Sequence, residues 1–379
     1  MKNNVFSIVH MTILHSRYDT RIYFKECMTL SEQGHAVVLL VGDGLGDENR
    51  DGVRILDIGA PPKGRLVRFI KQSFRMYRAV RHLKPEIVHF HDPELMIVAK
   101  IFGLLGISVI FDVHEDVAKG ILTKPWIPKA LRVPVAHIYS MIERLFSSSM
   151  ALVMAEESYI VSYESHGSKK KVVVENLPLL ELTELAVAQN DKFSSPTVVY
   201  FGSVTVARGA LRLIRVVSQL RLTRPDVKLV IIGPVSEEVS NSKYYIQAIK
   251  ESWLVSYGYI PQDQALKIVT RCHVGVAVLD PEPNYVKSYP TKIFEYMALG
   301  LPVIVSNFKL YKEVLDYSHC GFAVNPLDEL ELQSALDDVI NHPERAAESG
   351  LSGRRAVMSK YNWTTQGQQL LNFYQEINT

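Results

Sequence analysis

Short β-branched runs alternate with longer amphipathic stretches from one end of this chain to the other, and no other feature narrows its possible folds as much. Alternation of this kind builds βαβ units, in which a mainly parallel sheet is covered by helices. In the first half, strands are expected at Val5 to Met11, Ala36 to Val41, Val53 to Ile58, Ile87 to His91, Ser108 to Val113 and Leu152 to Met154. Residues 177–196, with Pro178, a polar middle and Ser194-Ser195-Pro196, read as a linker. The pattern then restarts, with strands at Thr197 to Phe201, Lys228 to Ile232, Leu254 to Tyr257, Val274 to Val278 and Pro302 to Val305, and turns helical after Gly321. The organisation expected is an α/β chain of two domains, 1–176 and 197–362, with a last helix over 363–379. A chain of 379 residues, 47% of them hydrophobic, can bury a core in each.

Several classes are excluded early. The strand from Val5 ends in Met11-Thr12-Ile13-Leu14-His15-Ser16-Arg17, without the G-x-G-x-x-G turn through which a dehydrogenase backbone approaches a dinucleotide. Cys27, Cys272 and Cys320 are odd in number and too far apart for a zinc spacing, which points to a reducing, cytoplasmic setting. The apolar run at Val5 to Leu14 is broken by Ser7, His10 and Thr12 and reads as a strand, and no stretch reaches the length needed to span a bilayer. Residues 1–176 hold 23 Lys and Arg against 19 Asp and Glu, and residues 177–379 hold 19 against 21, so the first half is the basic one. Its cations gather on one helix without interleaved aromatic platforms, which argues against a nucleic-acid partner.

The segment Tyr289 to Ile304, YPTKIFEYMALGLPVI, reads as a seat for a diphosphate. Pro290 and Thr291 open a helix, Gly300 and Pro302 close it, and a buried strand follows. The helix start aims unpaired N–H groups and a partial positive charge at whatever precedes Thr291, and Lys292 adds a full charge. Glu295 lies one turn further on, within reach of vicinal hydroxyls such as those of a ribose.

This segment resembles the P-(S/T/N)-K-x-x-E-Y-M-A-x-G-x-P-V-I block of the retaining GT-B glycosyltransferases of family 4. The resemblance implies two facing Rossmann-like domains, a C-terminal helix from Trp363 that crosses back to the first, and a nucleotide-sugar donor bound mainly by the C-terminal domain. UDP-sugars are the first donors to expect and GDP-sugars the second, with a glycan or lipid-linked acceptor in cell-surface polysaccharide assembly. Thr197 to Gly209 resembles the family's strand, Gly-rich turn and helix entry. There Gly202 lets backbone approach the donor, and Arg208 with the N–H groups of Gly202 and Thr291 faces the leaving diphosphate. Tyr257-Gly258-Tyr259-Ile260-Pro261 resembles the turn that reads the nucleobase, which places Tyr259 and Ile260 in the donor site together with Lys292, Ile293 and Glu295. Two departures stand out. Ser203 replaces the family's arginine, and Lys287 occupies the place of the first of its paired glutamates; Glu282 is an alternative carboxylate if the loop around it folds inward. Without a D-x-D motif, neither a metal nor another cofactor is expected.

In the first half, His91 follows one buried strand in His89-Phe90-His91-Asp92, and His114 follows another in Asp112-Val113-His114-Glu115-Asp116. The family places a histidine after the fifth strand beside the donor sugar, and His114 matches it; closure of the domains would bring it to the donor. Asp19 and Arg21, in a D-x-R-I sequence similar to one subgroup's, join His91 and Glu115 as acceptor-side candidates, although Asp19 equally suits a helix cap and His91 a buried, satisfied ring. Arg65 to Lys84 carries Arg68, Lys71, Arg75 and Arg78 in one stripe with Leu66, Ile70, Phe74 and Tyr77 roughly opposite. That helix fits either an anionic membrane surface or a solvated face packed on the sheet, and Trp126, Ile127 and Leu131 extend the same choice. A nucleotide-sugar 2-epimerase and a non-catalytic partner subunit of the same shape remain the rival functions.

Overall fold

The computed structural model describes residues 4–124, 127–164, 170–187 and 191–377, with backbone alone at Arg65, Leu66 and Thr123; Trp126 lies outside the described residues. The chain divides into two compact units, Met1–Asn176 with Thr365–Thr379, and Leu177–Thr364.

The first unit runs β1 (Ser7–Met11), a wide-turn helix at Ile22–Cys27 continuing as α1 (Met28–Glu32), β2 (Ala36–Val41), β3 (Glu48–Arg50), β4 (Val53–Asp57), α2 (Arg65–Leu83), β5 (Ile87–Phe90), α3 (Met96–Leu104), β6 (Ser108–Val113), α4 (Val117–Thr123), α5 (Lys129–Ser147), β7 (Ala151–Met154), α6 (Tyr159–Tyr163) and β8 (Lys171–Val173). Its eight strands lie in the order β3-β4-β2-β1-β5-β6-β7-β8, all parallel except β3 against β4. β5 and β7 are buried at every position, as strands covered by helices on both faces are. Phe90 and Phe111 stack across β5 and β6, with ring centroids 4.7 Å apart.

The second unit holds α7 (Leu180–Val187), β9 (Thr197–Phe201), α8 (Ala210–Leu220), β10 (Lys228–Ile232), α9 (Glu237–Ser240), α10 (Lys243–Lys250), β11 (Leu254–Ser256), α11 (Gln262–Val269), β12 (Val274–Ala277), α12 (Pro283–Val286), α13 (Thr291–Ala298), β13 (Val303–Ser306), α14 (Lys309–Ser318), β14 (Gly321–Val324), α15 (Glu329–Asn341) and α16 (Pro343–Ser359). Six parallel strands run β11-β10-β9-β12-β13-β14. The strand order reverses at β1/β5 in one sheet and at β9/β12 in the other, and open α/β sheets hold ligands beyond the carboxyl ends of strands at such places. α17 (Trp363–Ile377) starts in the second unit, where the Trp363 N–H donates to Pro178 O at 2.8 Å, and from Thr365 on belongs to the first.

Three strands differ from expectation. β3, β8 and β14 are three or four residues long, and β14 interrupts the stretch after Gly321 that reads as wholly helical. Edge strands this short carry no usable alternation, and Glu48-Asn49-Arg50 is polar throughout. Residues 177–196 are more than a linker, since α7 lies within them and Leu177 and Ala186 join the second unit's core. On α2, Ile70 and Phe74 are 58% and 60% exposed and so do not pack on the sheet, whereas Tyr77 stacks on Phe102 of α3 with ring centroids 5.8 Å apart.

Candidate functional site

β9 ends at Phe201 and the chain turns at Gly202, whose φ of +106° lies in the region that favours glycine. Its N–H donates to Ile232 O at 2.8 Å. That group is spent within the sheet, which corrects the expectation that it would face a leaving diphosphate. Lys292 comes up against the same glycine: a Cβ on Gly202 would stand 3.5 Å from Nζ. Instead of pointing into water from the start of α13, the lysine is 4% exposed. Its Nζ sits 3.7 Å from the Tyr200 ring centroid and has no hydrogen-bond partner among the described residues. Burial first, then the nearby Arg208 charge, pushes the amine well below its ordinary pKa of 10.5, against the pull of Glu295. The full charge read from the sequence is therefore disfavoured by burial, and an anion beside it would favour it.

One phenol fixes this geometry. Tyr296, on α13, accepts the Phe201 N–H at 2.8 Å and reaches Val199 O at 3.4 Å, tying the helix to the end of β9. Its ring lies on β12 where Gly275 leaves room, since a Cβ there would come within 2.3 Å of it. Around this core, Arg208 is half-buried with its guanidinium 5.6 Å from the Tyr285 ring centroid. Glu295 accepts a hydrogen bond from Gln262 Nε2 at 2.8 Å. Ser203 offers its carbonyl to the Tyr200 hydroxyl at 3.0 Å. Thr291 is exposed at the first helical position. Ile293, by contrast, is a core residue at 1% exposure, packed in the second unit's hydrophobic cluster. The Tyr259 side chain is 82% exposed, and Ile260 packs on the core. Glu282 stays exposed at the start of α12, and Lys287, also exposed, ends it, so the loop supplies no inward carboxylate.

In the first unit, β1, β5 and β6 end side by side and deliver His10, His89, His91, Asp112 and His114 to one place. These side chains form a continuous run. His89 Nδ1 lies 2.8 Å from the Tyr374 hydroxyl, and that hydroxyl lies 3.3 Å from His10 Nε2. His10 Nδ1 is 3.0 Å from His91 Nε2, and His91 Nδ1 is 3.1 Å from Asp112 Oδ2, which accepts from His114 Nε2 at 2.8 Å. Arg21 grips Asp112 through Nε and Nη2 at 2.9 and 2.8 Å, donates to Val174 O at 2.7 Å, and stands 3.0 Å from Glu26 Oε1. Two buried carboxyls thus share one guanidinium, and they part company. Burial acts to raise Asp112, but Arg21 and then His114 outweigh it and hold the carboxyl well below 3.8. Burial and then the Asp112 charge lift Glu26 well above 4.5, which favours its protonated form. Burial drives His10 and His89 well below 6.5 and His91 below it, so these rings favour the neutral state. His114 is the outer member, its side chain 20% exposed. Donation of Nε2–H to Asp112 leaves the lone pair on Nδ1. Among the described residues, His10, Glu26, His89 and His91, and again His91, Asp112 and His114, bring ligand atoms within 4.8 Å of one another, near enough to share a cation.

The remaining candidates are placed plainly. Asp19 caps the first helix, its Oδ1 accepting the N–H groups of Arg21 and Ile22 at 2.8 and 3.0 Å, while Oδ2 stands 3.6 Å from His15 Nδ1. Arg21 is a buried structural cation at 3% exposure, and Glu115 is exposed. Asp112 and the ring pairs could have been found from the sequence, because residues two apart at a strand end share a face. Glu26 and Tyr374, on distant helices, carry no such signal.

Residues 27–163 match the glycosyl transferase 4-like domain, and residues 195–342 match the glycosyl transferases group 1 family. A glycogen synthase of Mycobacterium tuberculosis is 22% identical over 368 residues, covering 89% of this chain and 85% of that protein. A GDP-mannose-dependent phosphatidylinositol monomannoside mannosyltransferase of Mycolicibacterium smegmatis is 26% identical over 183 residues, 46% of each chain. Among solved structures, sucrose-phosphate synthase of Thermosynechococcus elongatus superposes with a TM-score of 0.74 at 16% identity, covering 98% of this chain and 99% of that one. HepE of Anabaena, in complex with UDP-glucose, gives 0.69 at 12% identity, covering 98% and 100%. With one match on each Rossmann-like unit, the chain belongs to the GT-B glycosyltransferases of family 4 and is a transferase.

Proposed function

We propose that the protein moves a sugar, with retention, from a nucleotide-sugar donor to a glycan or lipid-linked acceptor in the assembly of a cell-surface polysaccharide, on the cytoplasmic side. The observation that carries this reading is Lys292, a buried amine without a hydrogen-bond partner among the described residues, beside Gly202 and at the start of an eight-residue helix. A diphosphate there would return the amine's proton, give Nζ the acceptors it lacks, and face Arg208 and the positive end of α13. As the bond to the anomeric carbon breaks, charge grows on the leaving oxygen, and these groups would hold it more strongly than the ground state. Glu295, steadied by Gln262, suits the hydroxyls of a ribose or sugar. In the first unit, His114 Nδ1 is the proposed acceptor for a sugar hydroxyl, with Asp112 and His91 setting its ring. The donor step as proposed calls for no metal. HepE structures hold UDP and UDP-glucose, which favours UDP-sugars, and the name of the mannosyltransferase relative keeps GDP-mannose on trial.

Thermal-shift measurements with UDP, UDP-glucose, UDP-N-acetylglucosamine and GDP-mannose test the proposal. A nucleotide present at a hundredfold over its Kd stabilises the native chain by about 2.7 kcal/mol, a readily measured rise. If none of these ligands moves the melting temperature, the reading fails. Slow release of UDP from the active sugar without acceptor separates an enzyme from a non-catalytic subunit.

A further inference from the structure

A helix lying on a sheet turns its apolar stripe inward. α5 does the opposite. The residues it buries are Ala136, Glu143 and Ser147, which fall along one side. On the far side Leu131, Val135, Ile138, Ile142 and Leu145 recur at steps of four and three, each between 38% and 68% exposed. Neighbouring helices continue the pattern. α3 packs against both α2 and α5, and α4 packs against α5. The crossovers from β4 to β5, β5 to β6 and β6 to β7 all step the same way along the sheet, so right-handed connection puts α2, α3 and α5 in one layer. Ile97, Ile101 and Leu104 of α3 are 51%, 39% and 78% exposed, and Ile70 and Phe74 of α2 share their outward face with exposed Lys71 and Arg78.

Charge selects what covers this layer. The four helices α2 to α5 contain eleven Lys and Arg and one acid, Glu143. That acid is 3% exposed and accepts the Tyr163 hydroxyl at 2.9 Å, so it neutralises nothing outside. A second copy seated here by two-fold symmetry would set cations against cations. An anionic lipid surface supplies the opposite charge to the rim and an apolar phase for the stripe. Among the described residues no helix is long and apolar enough to cross a membrane, so the contact lies in the interface plane. We propose that the outer face of α2, α3, α4 and α5 docks the protein on a bilayer bearing anionic headgroups. The inference uses the first unit's helices alone and does not rest on the donor chemistry.

The test is co-sedimentation of the full chain with phosphatidylcholine vesicles, with and without phosphatidylglycerol. The chain is expected to pellet with the anionic vesicles only, and less so as salt is raised. Ile138→Glu with Leu145→Glu should abolish pelleting, while Lys71→Gln with Arg78→Gln, on a different helix, should weaken it about thirtyfold, from ~1 kcal/mol per charge. Both pairs are surface changes, and an unaltered melting temperature and UDP-induced shift would show that they fold. A native chain left in the supernatant with anionic vesicles overturns the proposal. So does a solution dimer that Ile138→Glu with Leu145→Glu splits while vesicles capture nothing. Should UDP give no shift even with the native chain, the donor reading alone is at fault, and the vesicle result stands.

Discussion

Lys292→Met is expected to make the ligand-free protein more stable and to reduce the stabilisation that the proposed donor reading expects from UDP. The amine is buried without a hydrogen-bond partner among the described residues, and an unsatisfied buried polar group costs about 1–3 kcal/mol. Methionine keeps the length of the side chain and fills the space against Tyr200 without that cost. Loss of a charge-assisted bond to phosphate, worth about 1.5–3 kcal/mol, weakens UDP by roughly 10–100-fold. The pH dependence has a definite sign. The folded amine titrates below its ordinary 10.5, so the unfolded chain binds more protons there, and the amine's contribution to stability rises with pH until 10.5 is passed. That slope is expected to flatten in the variant. Between the amine's free and bound pKa values, UDP binding takes up a proton, and calorimetry in buffers of different ionisation enthalpy would count it. A variant that melts lower and still binds UDP would make Lys292 a packing element and no more.

Arg21→Met is expected to cost the first unit about 3–5 kcal/mol, because it strands the ionised Asp112 in the interior without its guanidinium and removes the cation beside Glu26. At roughly 2–4 °C per kcal/mol for a domain of this size, the transition of that unit falls by roughly 6–20 °C. In the native chain the depressed Asp112 is expected to contribute stability present above 3.8 and lost as pH falls through its folded value. Glu26, raised, contributes stability present below 4.5 and lost as pH rises through its folded value. Without Arg21 both carboxyls prefer a proton, so the gap between variant and native protein should narrow toward acid pH. Arg21→Met combined with Asp112→Asn removes one charge of each sign and is expected to recover much of the loss. Equal melting of Arg21→Met and the native chain would refute the shared-guanidinium account.

These two residues also mark how far the sequence could be read. The fold was legible because periodicity is local: most strands and helices announce themselves within a dozen residues, whereas three short edge strands and α7, in a stretch that reads as a linker, do not. The helix that carries Thr291, Lys292 and Glu295 was legible for the same reason, since its start and stop signals lie within that one segment. That Lys292 is buried was not, because Gly202 and Tyr200 come from the far end of another strand, and the Gly202 N–H is claimed by β10. In the first unit the His and Asp doublets at strand ends were visible, whereas Arg21 finds Asp112 across 91 residues and Tyr374 finds His89 across 285. Long-range pairs of that kind leave no pattern in a single chain.

The first unit is written in two pieces, with the whole of the second unit between them. A growing chain therefore exposes the ends of β1 and β5, with His10 and His89 on them, long before Tyr374 exists to bond with both rings. The second unit, by contrast, is continuous and can close as soon as it has emerged. Of the two sheets, the one made earlier has to stay open through the folding of its neighbour and is sealed by α17, which emerges only after that neighbour.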